Sequence, residues 1–381
     1  MQINIVNSSG THADSDVYVC LLGQDTIGNY GYLELSPTGD KLSFTAASGT
    51  SSGNAVMVPS YTLDALSSMP NLSDYVNSGR GYVSINQTLD IPIWSSGYVG
   101  PDYMVDANKT LFDFFEFYYD PDPSGTANCN ADLSPLDWVS IPMSMQFDDA
   151  AGNTVAGPVG FDVTRYDLFS AFDTDAALKN LIVPGTTLGQ VRILAPGHGI
   201  TNGLFSSSYL DDYIGTVWSH YAQPGNTLAL NVSPVSGEIY TGQVNASGAF
   251  AFTDKSGAMA SSICKPTTQD IFLCNGAFNG VGSGTAFLID ANIKNQVVSA
   301  LNRGILPLAG TATLCDSDNF YVATQSNTGK FNSFSQLLHE NSFDGLCYGF
   351  AYDDQCDQST DMSVDNPVIM TVIILLFGEL E

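Results

Sequence analysis

A glutamate lies within an aromatic, strand-like segment of the chain. Residues 112–120 read Phe-Asp-Phe-Phe-Glu-Phe-Tyr-Tyr-Asp, and alternation along a strand would place Glu116, Tyr118 and Asp120 on one face. Aromatic rings stack on the apolar faces of sugars, and carboxylates bind hydroxyl groups or move protons. The same pattern also fits a plain β-strand with an aromatic core face and a solvated edge of charges.

A second acidic segment follows after a connection rich in Gly, Pro and Asn. Residues 131–143 read ADLSPLDWVSIPM, and an antiparallel return would place Asp137, with Asp132 as a further candidate, across from Glu116. Two or three carboxylates that converge on a groove are the pattern of glycoside hydrolysis. A carboxyl group held among aromatic rings tends to stay protonated, which suits a general acid.

The elements around these residues are predicted to be mainly strands. Residues 1–150 read as strands separated by turns, whereas residues 166–172, 210–221 and 291–302 have helical spacing. After about residue 311 the helical signal is weaker, with one short helix at 331–339 and strands at 347–352 and 368–376. We therefore expect a mainly β protein with an α/β insertion. Its β domain combines residues 1–156 with 311–381, and residues 157–310 form the α/β domain.

Charge and composition exclude several classes of protein. The chain has 381 residues, with 39 acidic against 11 basic side chains and a formal net charge of −28. Such a chain repels nucleic acid and anionic membrane surfaces. Its 11% of aromatic residues supply enough apolar area for a core, which argues against disorder. Asp greatly outnumbers Glu, and low-pH or high-salt surroundings are hypotheses for that excess.

The seven cysteines suggest an oxidising compartment. The spacings of Cys264 to Cys274 and of Cys347 to Cys356 would suit short disulfide loops, although the connectivity stays open and the odd count leaves one thiol over. The absence of a CxxC pair argues against structural zinc, and we expect neither metal nor cofactor. No signal peptide precedes the first strand-like run, so we expect an extracellular protein whose targeting segment was removed.

Several segments together resemble glycoside hydrolase family 64. They are FFEFYYD with ADLSPLDWVSIPM, VRILAPGHGI (191–200), LDDYIGTVWSHY (210–221), CKPTTQDIFLCNGAF (264–278) and HENSFDGLCYGFAYDDQ (339–355). The resemblance runs the length of the chain. It implies a secreted, inverting endo-β-1,3-glucanase that acts on laminarin, curdlan or cell-wall glucan as a monomer without a cofactor. The implied fold is a thaumatin-like β-barrel or sandwich domain and a mixed α/β domain that flank a wide groove.

The resemblance also implies residue roles. Glu116 is similar to the family's general acid and Asp137 to its general base, so the two carboxyl groups should be roughly 6.5–9.5 Å apart, which leaves room for a water. The acidic cleft of plant thaumatin-like proteins is matched by Glu116, Asp132, Asp137 and the pair Asp353/Asp354.

The substrate contacts implied for this chain include departures from the family pattern. They comprise the three acidic positions outside the catalytic pair, Asp132, Asp353 and Asp354, together with Tyr118, Asp120, Ser134 and Trp138. Tyr118 and Asp120 stand where the family has a small hydroxyl residue and Asn, and Asp132 also replaces an Asn. These changes crowd negative charge around the catalytic pair, which raises carboxyl pKa values. The alternative function is a non-catalytic, glucan-binding thaumatin-like protein of cell walls or antifungal defence.

Overall fold

The computed structural model describes residues 1–104, 110–122, 126–185, 189–232, 237–308 and 314–375. Its strands, in chain order, are β1 (Gln2–Asn7), β2 (Val17–Gln24), β3 (Tyr30–Leu35), β4 (Lys41–Ala46), β5 (Val56–Met57), β6 (Tyr61–Thr62), β7 (Asn71–Leu72), β8 (Val76–Ile85), β9 (Pro92–Trp94), β10 (Gly97–Tyr98), β11 (Phe112–Asp120), β12 (Asn128–Asp132), β13 (Trp138–Val139), β14 (Met143–Asp148), β15 (Thr154–Gly160), β16 (Ile182–Pro184), β17 (Gln190–Leu194), β18 (Leu228–Asn231), β19 (Ile239–Val244), β20 (Phe250–Thr253), β21 (Met259–Ile263), β22 (Met362–Asp365) and β23 (Ile369–Ile374). The helices are α1 (Leu63–Leu66), α2 (Arg165–Thr174), α3 (Pro196–Thr201), α4 (Asp211–Tyr221), α5 (Thr268–Phe272), α6 (Gly284–Asn302) and α7 (Ser333–Glu340).

The chain divides into two compact units. The first comprises residues 1–194, 338–347 and 360–381, and the second comprises residues 195–337 and 348–359. The predicted boundary at 156/157 differs from this division because β15 continues through it to Gly160, paired with β14. Strand β17 then pairs with β13, so the first unit extends to Leu194.

The first unit is built around a 13-stranded sheet, which confirms the prediction of a mainly β protein. Its order is β15-β14-β23-β1-β7-β4-β3-β2-β8-β11-β12-β22, with β6 paired to β2. The first and last strands of this order, β15 and β22, lie close together. Gly157 of β15 is so near Met362 of β22 that an added Cβ atom would lie 3.0 Å from the Met362 Sδ. The sheet therefore forms a large, nearly closed barrel, in which β23 supplies the predicted buried final strand; residues 376–381 lie outside the described part.

The second unit combines a four-stranded antiparallel sheet, β18-β19-β20-β21, with helices. Its core includes Tyr213 and Val217 of α4, Phe250 of β20, and Ile293 and Val297 of α6, each at most 1% exposed. The helical spacing read at 210–221 and 291–302 is confirmed. The strand predicted at 347–352 is wrong, because residues 347–350 are irregular and residues 351–352 lie in a turn.

One disulfide joins Cys315 and Cys356 in the second unit. The short loops considered from the sequence do not form: Cys264 is exposed and Cys274 is buried, and the two are not bonded to each other. Cys347 does not pair with Cys356, because Cys356 is bonded to Cys315. Within the described ranges, no helix has both the length and the apolar character needed to cross a bilayer.

A recurrent hairpin turn accounts for part of the Asp excess. Asp25, Asp149 and Asp254 each accept, at Oδ1, the backbone N–H groups two and four residues later at 2.8–2.9 Å. Hydrogen bonds lower the pKa of Asp149, first among them that from the side chain of Asn153. The pKa of Asp254 is lowered chiefly by the Ser256 hydroxyl. These carboxylates serve as turn acceptors, which short acidic side chains do well.

Candidate active site

Two glycines of β8 allow the aromatic strand β11 to lie close beside it. Gly81 is paired with Phe115 and Gly79 with Phe117. A Cβ atom on Gly81 would lie 2.2 Å from the Phe115 ring, and one on Gly79 would lie 2.6 Å from the Phe117 carbonyl oxygen. Side chains alternate along a strand, so the residues between these two pairs point to the other face of the sheet.

Arg80 and Glu116 are the residues between those pairs, and they face each other across β8 and β11. Arg80 donates two hydrogen bonds to Glu116 Oε1, one from Nη2 and one from Nε at 3.1 Å. Its guanidinium carbon lies 4.3 Å from the centroid of the Phe114 ring. The side chains of Arg80 and Glu116 are 29% and 32% exposed. Glu116 is thus a half-buried carboxylate held in a defined orientation.

Strand β12 places Asp132 directly opposite Glu116. The antiparallel register of β11 and β12 pairs Glu116 with Asp132 and Tyr118 with Asn130. The expectation that Asp137 stands across from Glu116 is therefore corrected, because β12 ends at Asp132. Asp137 lies in the turn that follows, immediately before β13.

An open groove of about 350 Å³ lies along this face of the first unit. Its lining residues are mostly polar: Asn77, Ser78, Gly79, Glu116, Phe117, Tyr118, Asn130, Asp132 and Asp361. The β8 register shifts between the partners of Phe117 and Tyr119, so Asn77 and Ser78 form a bulge opposite Tyr118. Bulges often re-aim side chains beside functional sites. The groove has a size typical of ligand pockets, roughly 300–1,000 Å³.

The carboxyl groups of the groove are not equivalent. Burial raises the pKa of Asp132 to about 7, and the nearby Glu116 and Asp361 add to the rise. A hydrogen bond from Ser134 Oγ to Asp132 Oδ1 at 2.6 Å, together with the charge of Arg80, acts in the opposite direction. Burial also raises the pKa of Asp361. Among the residues that the structure describes, no group of three His, Cys, Asp or Glu side chains could hold a metal ion.

Tyr118 and Asp120 continue the same strand face beyond Glu116, and both are half-buried. The Tyr118 hydroxyl lies 3.4 Å from Asp120 Oδ2, and its ring contacts the ring of Tyr75 edge-on, with centroids 5.7 Å apart. Burial raises the pKa of Tyr118 to about 12, with Tyr75 and Asp120 as further causes. Tyr118 therefore stays a neutral hydrogen-bonding group beside the groove.

Asp113 fixes the backbone that follows Asp137. Asp113 is 5% exposed and accepts hydrogen bonds at Oδ2 from the N–H groups of Ser140 at 2.7 Å and Ile141 at 3.1 Å. Burial raises the pKa of Asp113 to about 6, while these backbone bonds and Arg192 oppose the rise. Asp137 itself adds to the raised pKa of Tyr103, after burial as the first cause. The Asp137 turn is thus tied to β11 by a buried carboxyl group.

Trp138 is a core residue, which corrects the expectation that it binds substrate. Its side chain is 7% exposed. The ring stacks on Tyr103 with centroids 5.4 Å apart and meets the rings of Phe112 and Phe114 edge-on at 5.8 and 5.6 Å. The side chain is thus packed among aromatic rings of the protein.

Trp138→Ala should therefore lower the free energy of unfolding by about 3–5 kcal/mol, because it empties a buried aromatic site. Denaturant unfolding followed by circular dichroism measures the loss. Trp94→Ala is the matched control, since Trp94 is only half-buried and should cost less. A loss below about 1 kcal/mol for Trp138→Ala would contradict its role in the core.

Asp353 and Asp354 belong to the second unit. Asp353 is fully buried and pairs with Arg303, whose Nη2 lies 3.0 Å from Asp353 Oδ1. Its Oδ2 accepts hydrogen bonds from the Ser335 hydroxyl and the Gly349 N–H, both at 3.0 Å. Asp353 is thus a buried structural carboxylate, which corrects its assignment as a substrate contact. Asp354 is exposed, and its assignment stays a prediction.

Three residues of the first unit were missed by the sequence argument. They are Arg80, which pairs with Glu116; Asp113, which holds the backbone after Asp137; and Asp361, which lines the groove. Arg80 could have been noticed, since it is one of only 11 basic residues and lies between two glycines of a strand-like run. Nothing local in the sequence marks Asp361, because it reaches the groove from a segment 229 residues after Asp132.

Comparisons with known proteins agree with this fold. The family profile described as beta-1,3-glucanase, glycoside hydrolase family 64, matches residues 1–374. A laminaripentaose-producing β-1,3-glucanase solved in complex with laminaritetraose has a TM-score of 0.78 at 20% identity, covering 99% of this chain and 98% of that one. A β-1,3-glucanase domain from Clostridium beijerinckii has a TM-score of 0.74 at 23% identity, covering 98% and 97%.

Curated relatives are named glucan endo-1,3-beta-glucosidase. Those of Arthrobacter sp. (strain YCWD3) and Cellulosimicrobium cellulans are each 25% identical over 289 residues. The match covers 73% of this chain and 48% of each relative, so the chain spans about half the length of the relatives it matches. Since the family profile extends over nearly the whole chain, this protein belongs to glycoside hydrolase family 64.

Proposed function

We propose that this chain is an endo-β-1,3-glucanase that hydrolyses long β-1,3-glucan with inversion at the anomeric carbon. The observation that carries the proposal is the open, polar groove in which Glu116 and Asp132 face each other on neighbouring strands. Membership of the family supports the substrate class, as do the names of the relatives. One structural neighbour was solved in complex with laminaritetraose, which supports an oligosaccharide ligand.

Within this proposal, Glu116 is the general acid and Asp137 the general base. Glu116 protonates the departing glycosidic oxygen, and Asp137 removes a proton from the water that attacks the opposite face of the sugar. The hydrogen bonds that Asp113 accepts from the backbone N–H groups of Ser140 and Ile141 support this role, since they hold the segment after Asp137. Tyr118, Asp120 and Ser134 would contact the sugar hydroxyls beside the acid.

Cellular context and architecture are also part of the proposal. We propose an extracellular monomer, and the relation to bacterial glucan endo-1,3-beta-glucosidases supports the extracellular part of that assignment. The thaumatin-like character of the barrel and the role of the second unit as a groove wall stay predictions.

Incubation of the wild-type chain with laminarin and curdlan tests the activity. Size analysis should give short laminari-oligosaccharides, and proton NMR in the first minutes should give the α-anomer, because an inverting enzyme turns a β-linkage into an α-product. Initial release of the β-anomer would overturn inversion but not hydrolysis. No hydrolysis on either glucan would overturn the enzyme assignment.

A non-catalytic glucan-binding protein is the second candidate, and the Arg80–Glu116 ion pair favours it. An arginine beside a carboxylate stabilises the ionised form, whereas a general acid must carry a proton. Pull-down with insoluble curdlan distinguishes the candidates. Binding without any hydrolysis would select the second.

Asp137→Asn should lower kcat on laminarin by about 10²–10⁴-fold, because the amide cannot accept the proton of the attacking water. Initial-rate kinetics measure the change, and KM should stay within about threefold. Azide supplied as an external nucleophile is expected to restore part of the rate. A near-normal kcat in Asp137→Asn would remove the residue from the base role.

A further inference from the structure

Two carboxyl groups face each other in the groove, and only Glu116 has an arginine hydrogen-bonded to it. Glu116 and Asp132 form a cross-strand pair, and Arg80 donates two hydrogen bonds to Glu116. Directly paired residues have Cβ atoms about 4.5–5.5 Å apart, so the two carboxyl groups interact electrostatically. Two adjacent carboxyl groups do not ionise independently, and the one without the cation keeps the proton.

The arginine creates a difficulty for the proposed acid. Glu116 must be protonated at the moment when the glycosidic bond breaks. Two N–H groups of Arg80 donate to Glu116 Oε1, and this half-buried ion pair lies beside the Phe114 ring. An arginine beside a carboxyl group favours its ionised form, so a nearby group that holds a proton would assist the acid.

Asp132 is the carboxyl group of the groove that lies directly opposite Glu116. Three charged groups act on its pKa: Glu116 from β11, Asp361 from the segment before β22, and Arg80 from β8. Two of these three charges are negative, and the one cation is engaged by Glu116. Burial then raises the pKa of Asp132 to about 7, so the carboxyl group is largely protonated in weakly acidic solution.

We propose that Asp132 holds the proton at rest and passes it to Glu116 for cleavage, an inference that rests on the proposed glucanase activity. In the transfer, the O–H bond of Asp132 breaks and an O–H bond forms on Glu116, so one carboxylic acid and one carboxylate are exchanged. Glu116 then gives the proton to the departing oxygen, and Asp132 regains one from water in the open groove. Asp132 does not contact the reacting atoms in this scheme; it acts by supplying the proton to Glu116.

The pH dependence of kcat/KM tests this role. Wild-type activity should fall as the pH rises through about 7, because Asp132 then loses its proton. Asp132→Asn should lower kcat at least about tenfold and should remove this inflection. Asp132→Glu should restore a carboxyl group and with it an alkaline limb. Asp64→Asn is the matched control, since Asp64 is exposed on α1 of the same unit and should leave the profile unchanged.

Ser134→Ala gives an independent test with opposite sign. The Ser134 hydroxyl lowers the pKa of Asp132, so its removal should move the alkaline limb to higher pH. An Asp132→Asn profile that keeps the inflection near 7, or a Ser134→Ala limb that does not move up, would overturn the proposal. Wild type without hydrolysis at any pH would instead overturn the proposed function itself.

Thermal unfolding tests the protonation state without any substrate. A carboxyl group with a raised pKa in the folded state stabilises the fold while it is protonated. This contribution is fully present below the unfolded-state pKa of about 3.9 and is lost as the pH rises through the folded-state pKa of about 7. The Tm of Asp132→Asn should therefore rise relative to wild type between pH 5 and pH 8.5. A Tm difference that stays constant over this range would show that Asp132 is ionised throughout, and the proposal would fail.

Discussion

Glu116→Gln should lower kcat on laminarin by about three orders of magnitude while glucan binding is retained. General acid catalysis contributes about 10²–10⁴-fold, and an amide has no proton of suitable acidity for the leaving oxygen. Gln keeps an oxygen that can accept from Arg80, so the strand pairing should survive. Reducing-sugar release measures kcat, and curdlan pull-down measures binding.

The control for this variant is Glu34→Gln. Glu34 is an exposed glutamate on β3 of the same unit, and it should leave kcat unchanged. Aryl β-glucosides with good leaving groups give a second check, since they need little protonation and should lose much less rate. If Glu116→Gln retained more than about a tenth of wild-type activity on laminarin, Glu116 would not be the general acid.

Asp353→Asn should lower the free energy of unfolding by about 3–5 kcal/mol, because it leaves Arg303 as an uncompensated buried charge. The Asp353 and Arg303 side chains are 0% and 1% exposed. Ser335 and Gly349 also lose a charged acceptor. Urea unfolding gives the loss directly. Kinetics at a temperature where the variant is folded should give a KM within about twofold of wild type.

The matched control is the exposed ion pair of the same unit. Lys255 and Glu238 are 81% and 39% exposed, and Glu238→Gln should cost less than about 1 kcal/mol. A large rise in KM for Asp353→Asn without loss of stability would return Asp353 to the substrate-binding set.

The sequence predicted elements well where one periodicity dominates. Helices α4 and α6 follow apolar residues spaced three and four apart, and β2 follows an almost continuous apolar run. The segment 347–352 is also apolar, yet it forms no strand, because the Asp353 carboxylate accepts the Gly349 N–H that a strand would donate to a neighbouring strand. The unit boundary was missed because β17 pairs with β13, from which it is distant in the chain.

The candidate site residues also divide into those that follow a local rule and those whose surroundings depend on the fold. Glu116, Tyr118 and Asp120 share a face because alternation along a strand is a local rule. Asp353 and Trp138 were chosen by residue type and position in a motif, but burial decided otherwise. Arg303, which pairs with Asp353, and Tyr103, which stacks on Trp138, are distant from these residues in the sequence.

The sequence by itself determined the family, the mainly β class and the strand face that carries Glu116. Each depends on local patterns or on motifs spread along the chain. Only the tertiary structure decided that Asp132, and not Asp137, stands opposite Glu116, since cross-strand register depends on where β12 begins and ends. It also brought Arg80 and Asp361 to the same groove from positions 36 residues before Glu116 and 229 residues after Asp132. Charge acts through space, so the protonation of these carboxyl groups follows from the folded sheet.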